Sequence, residues 1–169
     1  MGCKVNQAES EAIAQDLLDS EWSLTDDCEN AELCVVNTCT VTQKASMQSR
    51  QAIRKAIRAN PEARIIVTGC YAQTAPREIN KIDGVDTIVG HDQKLNISRL
   101  FPGDGDETLE SEGSSVSRIR NQGRFQLMPT ATSAARTRPF LKIQDGCNAF
   151  CTYCIVPYAR GRSRSMPPD

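Results

Sequence analysis

Leu33-Cys-Val-Val-Asn-Thr-Cys39 and Arg64-Ile-Ile-Val-Thr-Gly-Cys70, with Lys44–Ala59 between them, decide the fold. Leu33–Asn37 and Arg64–Thr68 are short apolar runs rich in β-branched residues, as expected of buried strands. Lys44–Ala59 reads as a helix with Met47, Ile53 and Ile57 inward, stopped by Asn60-Pro61 because proline disfavours a helical residue before it. Strand, helix and strand in this order predict a right-handed βαβ unit.

Outward from this unit the alternation continues. Residues 8–20 form an amphipathic helix with Ile13, Leu17 and Leu18 on one face, and Pro76–Lys81 a short helix ending near Asp83-Gly84. Asp86–Val89 is a third strand, and His91–Leu100 starts or forms another helix. The prediction is an α/β domain over residues 1–101 with a parallel, helix-covered sheet, whose ligands bind beyond the carboxyl ends of the strands. Residues 102–137 lack periodicity and read as a polar linker. Pro139–Ile143 is then a new strand opening a second module over 138–169.

No run of 18 apolar residues exists, and no basic-then-apolar leader opens the chain, so a cytoplasmic protein without a membrane segment is expected. Eight cysteines in a reducing compartment argue for metal or redox chemistry rather than disulfides. The net charge of −1 hides segregation. Residues 44–64 carry six Lys/Arg against Glu62 alone, 104–112 hold five acids, and 113–164 hold nine Lys/Arg against Asp145 alone. Basic stretches of this kind suit a phosphate backbone, and equally suit solvated helix and linker faces.

Cys147, Cys151 and Cys154 are spaced C-x3-C-x2-C in one short loop. Three close thiolates can hold three irons of a [4Fe-4S] cluster and leave the fourth open to a small molecule. Zinc would want a fourth ligand, and His91, the lone histidine, is far away in sequence; a redox pair at Cys151 and Cys154 leaves Cys147 unexplained. Cys39 and Cys70 each follow a strand, and Cys3 stands before the first helix, so the three can converge on one sheet edge. Separated cysteines are also common as small apolar core residues, and the spacing does not decide between these readings. Cys34 reads as a core residue and Cys28 lies in an acidic loop without a role. His91 reads as structural or exposed, and Arg160, Arg162 and Arg164 as phosphate, carboxylate or barrel contacts, with at least one solvated.

The stretch Lys142–Ser165, with its Gly-Cys-Asn-Ala-Phe-Cys-Thr-Tyr-Cys core, resembles the start of the radical S-adenosylmethionine (SAM) domain of the methylthiotransferases. Gly2-Cys-Lys-Val-Asn-Gln, Val36-Asn-Thr-Cys-Thr-Val-Thr and Val67-Thr-Gly-Cys-Tyr-Ala-Gln resemble that family's three N-terminal motifs. The resemblance implies a flavodoxin-like N-terminal domain followed by the start of a partial TIM barrel. It implies two [4Fe-4S] clusters: one on Cys147, Cys151 and Cys154 that binds SAM, and an auxiliary one on Cys3, Cys39 and Cys70.

Cys3-Lys-Val-Asn-Gln and the run from Asn148 to Arg160 look most like the branch acting on threonylcarbamoyladenosine in tRNA. The isopentenyladenosine branch usually shows Gln-Met where this chain has Lys4-Val5. Implied partners are that tRNA and a low-potential electron donor. The resemblance further implies that the 169 residues are a fragment, lacking the first strand, most of the barrel and a C-terminal RNA-binding domain, and largely inactive alone. The other readings are an iron–sulfur electron-transfer protein, which would want a fourth cysteine per cluster, and a non-catalytic RNA-binding module.

Overall fold

A computed structural model of the chain describes residues 2–100, 113–116, 124–128 and 140–168. The sheet contains β1 (Leu33–Thr38), β2 (Arg64–Gly69), β3 (Thr87–Val89) and β4 (Gly113–Ser115), in that spatial order and all parallel. Helices therefore carry the chain back between strands: α2 (Gln43–Ala59) from β1 to β2, then α3 (Cys70–Thr74) and α4 (Pro76–Ile79) from β2 to β3. Preceding β1 is α1 (Lys4–Leu18); after β3 come a 3-10 turn, Lys94–Asn96, and α5 (Ile97–Leu100).

Alternation along β2 feeds two cores. Ile65 and Val67 pack with Ile53 of α2, Tyr71 and Ala72 of α3, Ile79 and Ile88. Ile66 faces the other way, toward Ile13 and Leu17 of α1, Val89 and Ile97. A strand buried on both faces has no polar alternation, which is why Arg64–Thr68 reads as a continuous apolar run. Each fully buried isoleucine contributes about 1.5–3 kcal/mol relative to exposure. Two inward assignments are corrected: Leu18 is 44% and Met47 46% exposed, each lying off the stripe set by its neighbours. Helix α1 also begins at Lys4, earlier than residue 8, with Cys3 at its N-cap.

The stretch 102–137 lies largely outside the described residues, as do the acidic run 104–112 and Pro139. Its Gly113–Ser115 is nevertheless an edge strand of the sheet, not linker. The strand expected at 139–143 is also shifted: residues 140–143 are irregular, and a two-residue strand β5 (Gln144–Asp145) pairs antiparallel with β6 (Arg164–Ser165). Leu141 and Ile143 of the expected strand are 65% and 59% exposed, so no second sheet among the described residues covers them. Between β5 and β6 lie the Cys147–Cys154 loop and α6 (Val156–Arg160), which packs against α3. Among the described residues no helix is long and apolar enough to cross a membrane.

Candidate functional site

The register of β1 on β2 ends with Thr38 opposite Gly69, so Cys39 and Cys70 are the next residues off neighbouring strands, at the carboxyl edge of the sheet. Both are 3% exposed. Gly69 has φ +94°, and a Cβ there would run into the Thr38 carbonyl and, at 2.5 Å, Asn37 Oδ1; only glycine lets the two strand ends approach this closely. Cys39 is pinned through Ser49 of α2, whose hydroxyl accepts from the Cys39 N–H at 3.1 Å and donates to its carbonyl at 2.9 Å. Cys3 reaches the same edge through the first turn of α1: Asn6 Nδ2 donates to the Thr38 carbonyl at 3.1 Å and to Asn37 Oδ1 at 3.0 Å. Cys3 itself is exposed.

The second triad is held on a tightly folded loop. Gly146, at φ +75°, precedes Cys147, whose N–H donates to the Gly161 carbonyl at 3.1 Å. The Cys154 N–H donates to the Cys151 carbonyl at 2.9 Å, and the Ala149 N–H points at Cys147 Sγ at 3.5 Å. Asn148 Oδ1 accepts from the Ser163 N–H at 3.1 Å, and Phe150 stacks edge-on to Tyr158. Cys151 is exposed, while Cys147 and Cys154 are half-buried.

Between the two triads lies a buried ionic joint that the sequence reading did not foresee. Glu9 of α1 is fully buried, with Lys94 Nζ at 2.6 Å and Lys142 Nζ at 2.8 Å from its Oε1. Arg160 of α6 grips both its oxygens, Nη1 to Oε1 at 2.7 Å and Nη2 to Oε2 at 3.0 Å. Asp145 accepts from Lys142 at 2.8 Å, Arg160 at 2.9 Å and Arg164 at 3.3 Å, and lies 3.0 Å from His91 Nε2. Burial alone would raise the Glu9 carboxyl, but Lys94, Arg160 and His91 hold it well below the usual range. Asp145 is likewise pulled down against burial, by its hydrogen bond from His91 and the charges of Lys142 and Arg160.

Burial, then Lys94, push His91 down to about 4, so it is neutral near pH 7. The contacts fit a tautomer with Nε2–H donating to Asp145 and Nδ1 accepting from Lys94 at 3.1 Å. His91 is therefore structural, and Arg160 and Arg164 face carboxylates, while Arg162 lies over the Phe150 ring. Glu9, His91 and Lys94 come from the α/β unit; Lys142, Asp145, Arg160 and Arg164 come from residues 140–168. The joint thus ties the Cys147–Cys154 segment to the helix that starts at Cys3, and α6 also sits on α3, which starts at Cys70. Two signals in the sequence point to it: Asp145 is the lone acid of 113–164, and Glu9 shares a helical stripe with Ala12 and Ile13.

Among the described residues, the His/Cys/Asp/Glu set with all three ligand atoms within 4.8 Å of one another is Glu9, His91 and Asp145. Its oxygens are already taken by ammonium and guanidinium groups, which would repel a metal ion at the same point. The motif cysteines offer a different donor set. All six of the motif cysteines are free thiols, and iron–sulfur clusters take thiolates at separate corners, so the sulfurs need not crowd as ligands of one ion do. Burial raises the Cys70 thiol, whereas the charges of Arg160 and Lys94 act the other way and favour the thiolate. Cys28 and Cys34 line a groove beside α1 and β1 with Trp22 and Leu24.

Residues 1–90 match the family described as Uncharacterized protein family UPF0004. The chain belongs to that family. Beyond the UPF0004 region, similarity to curated proteins runs the whole length. The chain is 44% identical over 169 residues to the threonylcarbamoyladenosine tRNA methylthiotransferase MtaB of Bacillus subtilis, covering 100% of this chain and 37% of that protein. It is 37% identical over 168 residues to the protein of the same name from Aquifex aeolicus, covering 98% and 40%. A tRNA-2-methylthio-N(6)-dimethylallyladenosine synthase of Porphyromonas gingivalis is 34% identical over 172 residues, covering 97% and 36%. The UPF0004 chain thus spans well under half the length of these relatives.

Proposed function

We propose that the chain is the N-terminal part of a radical SAM methylthiotransferase that converts N6-threonylcarbamoyladenosine beside the tRNA anticodon to its 2-methylthio derivative. The observation that carries this reading is that Cys39 and Cys70 leave neighbouring strand ends at the carboxyl edge of the sheet, while the α3–α6 contact and the Glu9–Arg160 joint hold the segment carrying the Cys147–Cys154 loop against the same unit. Similarity to proteins named for this reaction supports it, and the higher identity to them than to the Porphyromonas gingivalis synthase favours this nucleoside over the isopentenylated one.

In this reading residues 1–101 form the α/β domain and 138–169 open the radical SAM domain, in a cytoplasmic protein served by a low-potential electron donor. Cys147, Cys151 and Cys154 would hold the cluster that engages SAM, and Cys3, Cys39 and Cys70 the auxiliary one. When bound, these groups supply the electron that cleaves SAM and the sulfur to be transferred. The chain's own part is positional. Ser49 and Asn6 fix the sheet-edge thiols, the Ala149 N–H tempers the charge on Cys147 Sγ, and Glu9 with Arg160 sets the separation of the triads.

Anaerobic reconstitution of the chain tests this. Cys39→Ala and Cys147→Ala should each lose about half of the bound iron. SAM should perturb the electron paramagnetic resonance (EPR) spectrum of the reduced Cys39→Ala variant and leave that of Cys147→Ala unchanged. Zinc in place of iron, or spectra indifferent to SAM in the Cys39→Ala variant, would overturn the reading. Mass spectrometry of tRNA nucleosides from cells with and without the gene distinguishes the threonylcarbamoyl from the isopentenyl product.

A further inference from the structure

Helix α2 carries a face that neither the cores nor the ionic joint uses. Its 17 residues include Lys44, Arg50, Arg54, Lys55 and Arg58 and no acidic residue, in a chain with 21 acids. At 100° per residue, Lys44, Gln48, Gln51, Lys55 and Arg58 fall on one narrow stripe, opposite the buried Ile53 and Ser49, with Arg54 flanking it. All six are exposed. Arg50 lies off the stripe and is engaged, its Nη1 donating to Tyr71 Oη at 2.9 Å. Among the described residues, no salt bridge joins Lys44, Arg54, Lys55 or Arg58 to a carboxylate.

A solvated helix gains from acids placed four residues from its cations, and like charges at that spacing destabilise it. Arg50, Arg54 and Arg58 stand in that unfavourable spacing with no acid on the helix to offset them. A stripe of cations and amides without acids matches what phosphate and ribose oxygens accept hydrogen bonds from. Its position adds direction. The helix begins four residues after Cys39 and is tied to that cysteine by Ser49, so the stripe runs outward from the thiol edge. From Lys44 to Arg58 it extends roughly 21 Å, on the order of six phosphates along one strand.

We propose that this stripe is a track for the phosphate backbone of the RNA substrate, holding the strand that flanks the nucleoside presented at the sheet edge. The proposal rests on the reading of the chain as part of a tRNA-modifying enzyme. Its test is separate, because it uses binding rather than clusters or turnover. Binding of an unmodified tRNA transcript to the chain is followed by fluorescence anisotropy between about 50 and 200 mM salt. The combined Lys44→Gln, Arg54→Gln, Lys55→Gln and Arg58→Gln variant should weaken binding more than tenfold at low salt. It should also flatten the slope of log affinity against log salt by about 3, near 0.7–0.9 per cation removed.

The exposed Arg77→Gln and Lys81→Gln pair, outside helix α2 and its stripe, should leave both unchanged. In the unaltered chain, bound tRNA should protect Lys44 and Lys55 from acetylation, a result that needs no variant to fold. A combined variant with unaltered salt slope and circular dichroism, or lysines equally reactive with and without tRNA, overturns the track. Either result leaves the cluster-based reading of function standing.

Discussion

Replacing Glu9 by Gln keeps shape and removes one charge at the centre of the ionic joint. In the unaltered chain two buried carboxylates, Glu9 and Asp145, face Lys94, Lys142, Arg160 and Arg164. Without the Glu9 carboxylate, Lys94, only 1% exposed, loses its acidic partner at 2.6 Å, and Arg160 loses its two-pronged contact. Removing one member of a buried pair typically costs 3–5 kcal/mol, because the other charge stays desolvated and uncompensated. For a chain of this size that corresponds to a fall in Tm of roughly 6–20 °C.

The loss should depend on pH, with a definite sign. Burial holds Lys94 down to about 8 even though Glu9 pulls it upward. An unfolded lysine titrates near 10.4, so above the folded value the unfolded chain carries more protons and stability rises with pH. Removing Glu9 lowers the folded value further and opens this window nearer neutrality. The deficit of the variant should therefore shrink as pH rises from neutrality toward about 8 and level off above it, where the unaltered chain gains at the same slope. Urea unfolding of the metal-free, reduced protein measures the deficit, and hydrogen exchange over residues 140–168 should rise as the joint loosens. A deficit below about 1 kcal/mol that does not change with pH would refute the reasoning.

Three further outcomes follow from single contacts. His91 is held at about 4 in the fold against 6.5 ordinarily, so stability should fall by about 3 kcal/mol as pH drops from 6.5 to 4, and urea midpoints for His91→Gln should flatten that fall. Gly69→Ala places a side chain at φ +94° against the Thr38 carbonyl, so it should destabilise by about 1–3 kcal/mol and lower iron retention at the sheet-edge triad, read by iron counting. Ile53→Ala opens a cavity between α2 and β2 and should cost about 2–5 kcal/mol in urea unfolding, with the Cys147 loop's hydrogen exchange unchanged.

The sheet was legible because β2 is buried on both faces and its half-buried neighbour β1 keeps the same kind of apolar run. Continuous apolar runs at Leu33 and Arg64, separated by one amphipathic helix, admit few other arrangements, and one end of each of β1, β2 and β3 differs from the expected bound, by a single residue. The edge strand Gly113–Ser115 was not legible: three residues without an apolar run carry no period, and β3 supplies the pairing that makes them a strand. The strand expected at Pro139–Ile143 misled for the opposite reason: its apolar Leu141 and Ile143 are exposed, and a short apolar run becomes a strand only where another layer covers it.

Local sequence alone determined the cysteine loop, because three ligands within eight residues are close whatever the rest of the chain does. It also determined that Cys39 and Cys70 end neighbouring parallel strands, since a βαβ unit has one handedness. Only the tertiary structure decided what joins the two triads. Glu9 and Arg160 are 151 residues apart in sequence, and an acid on a helix stripe looks the same whether it meets water or a guanidinium. Burying such a charge is tolerable only when its partner arrives from elsewhere in the chain, and that pairing is a property of the folded state.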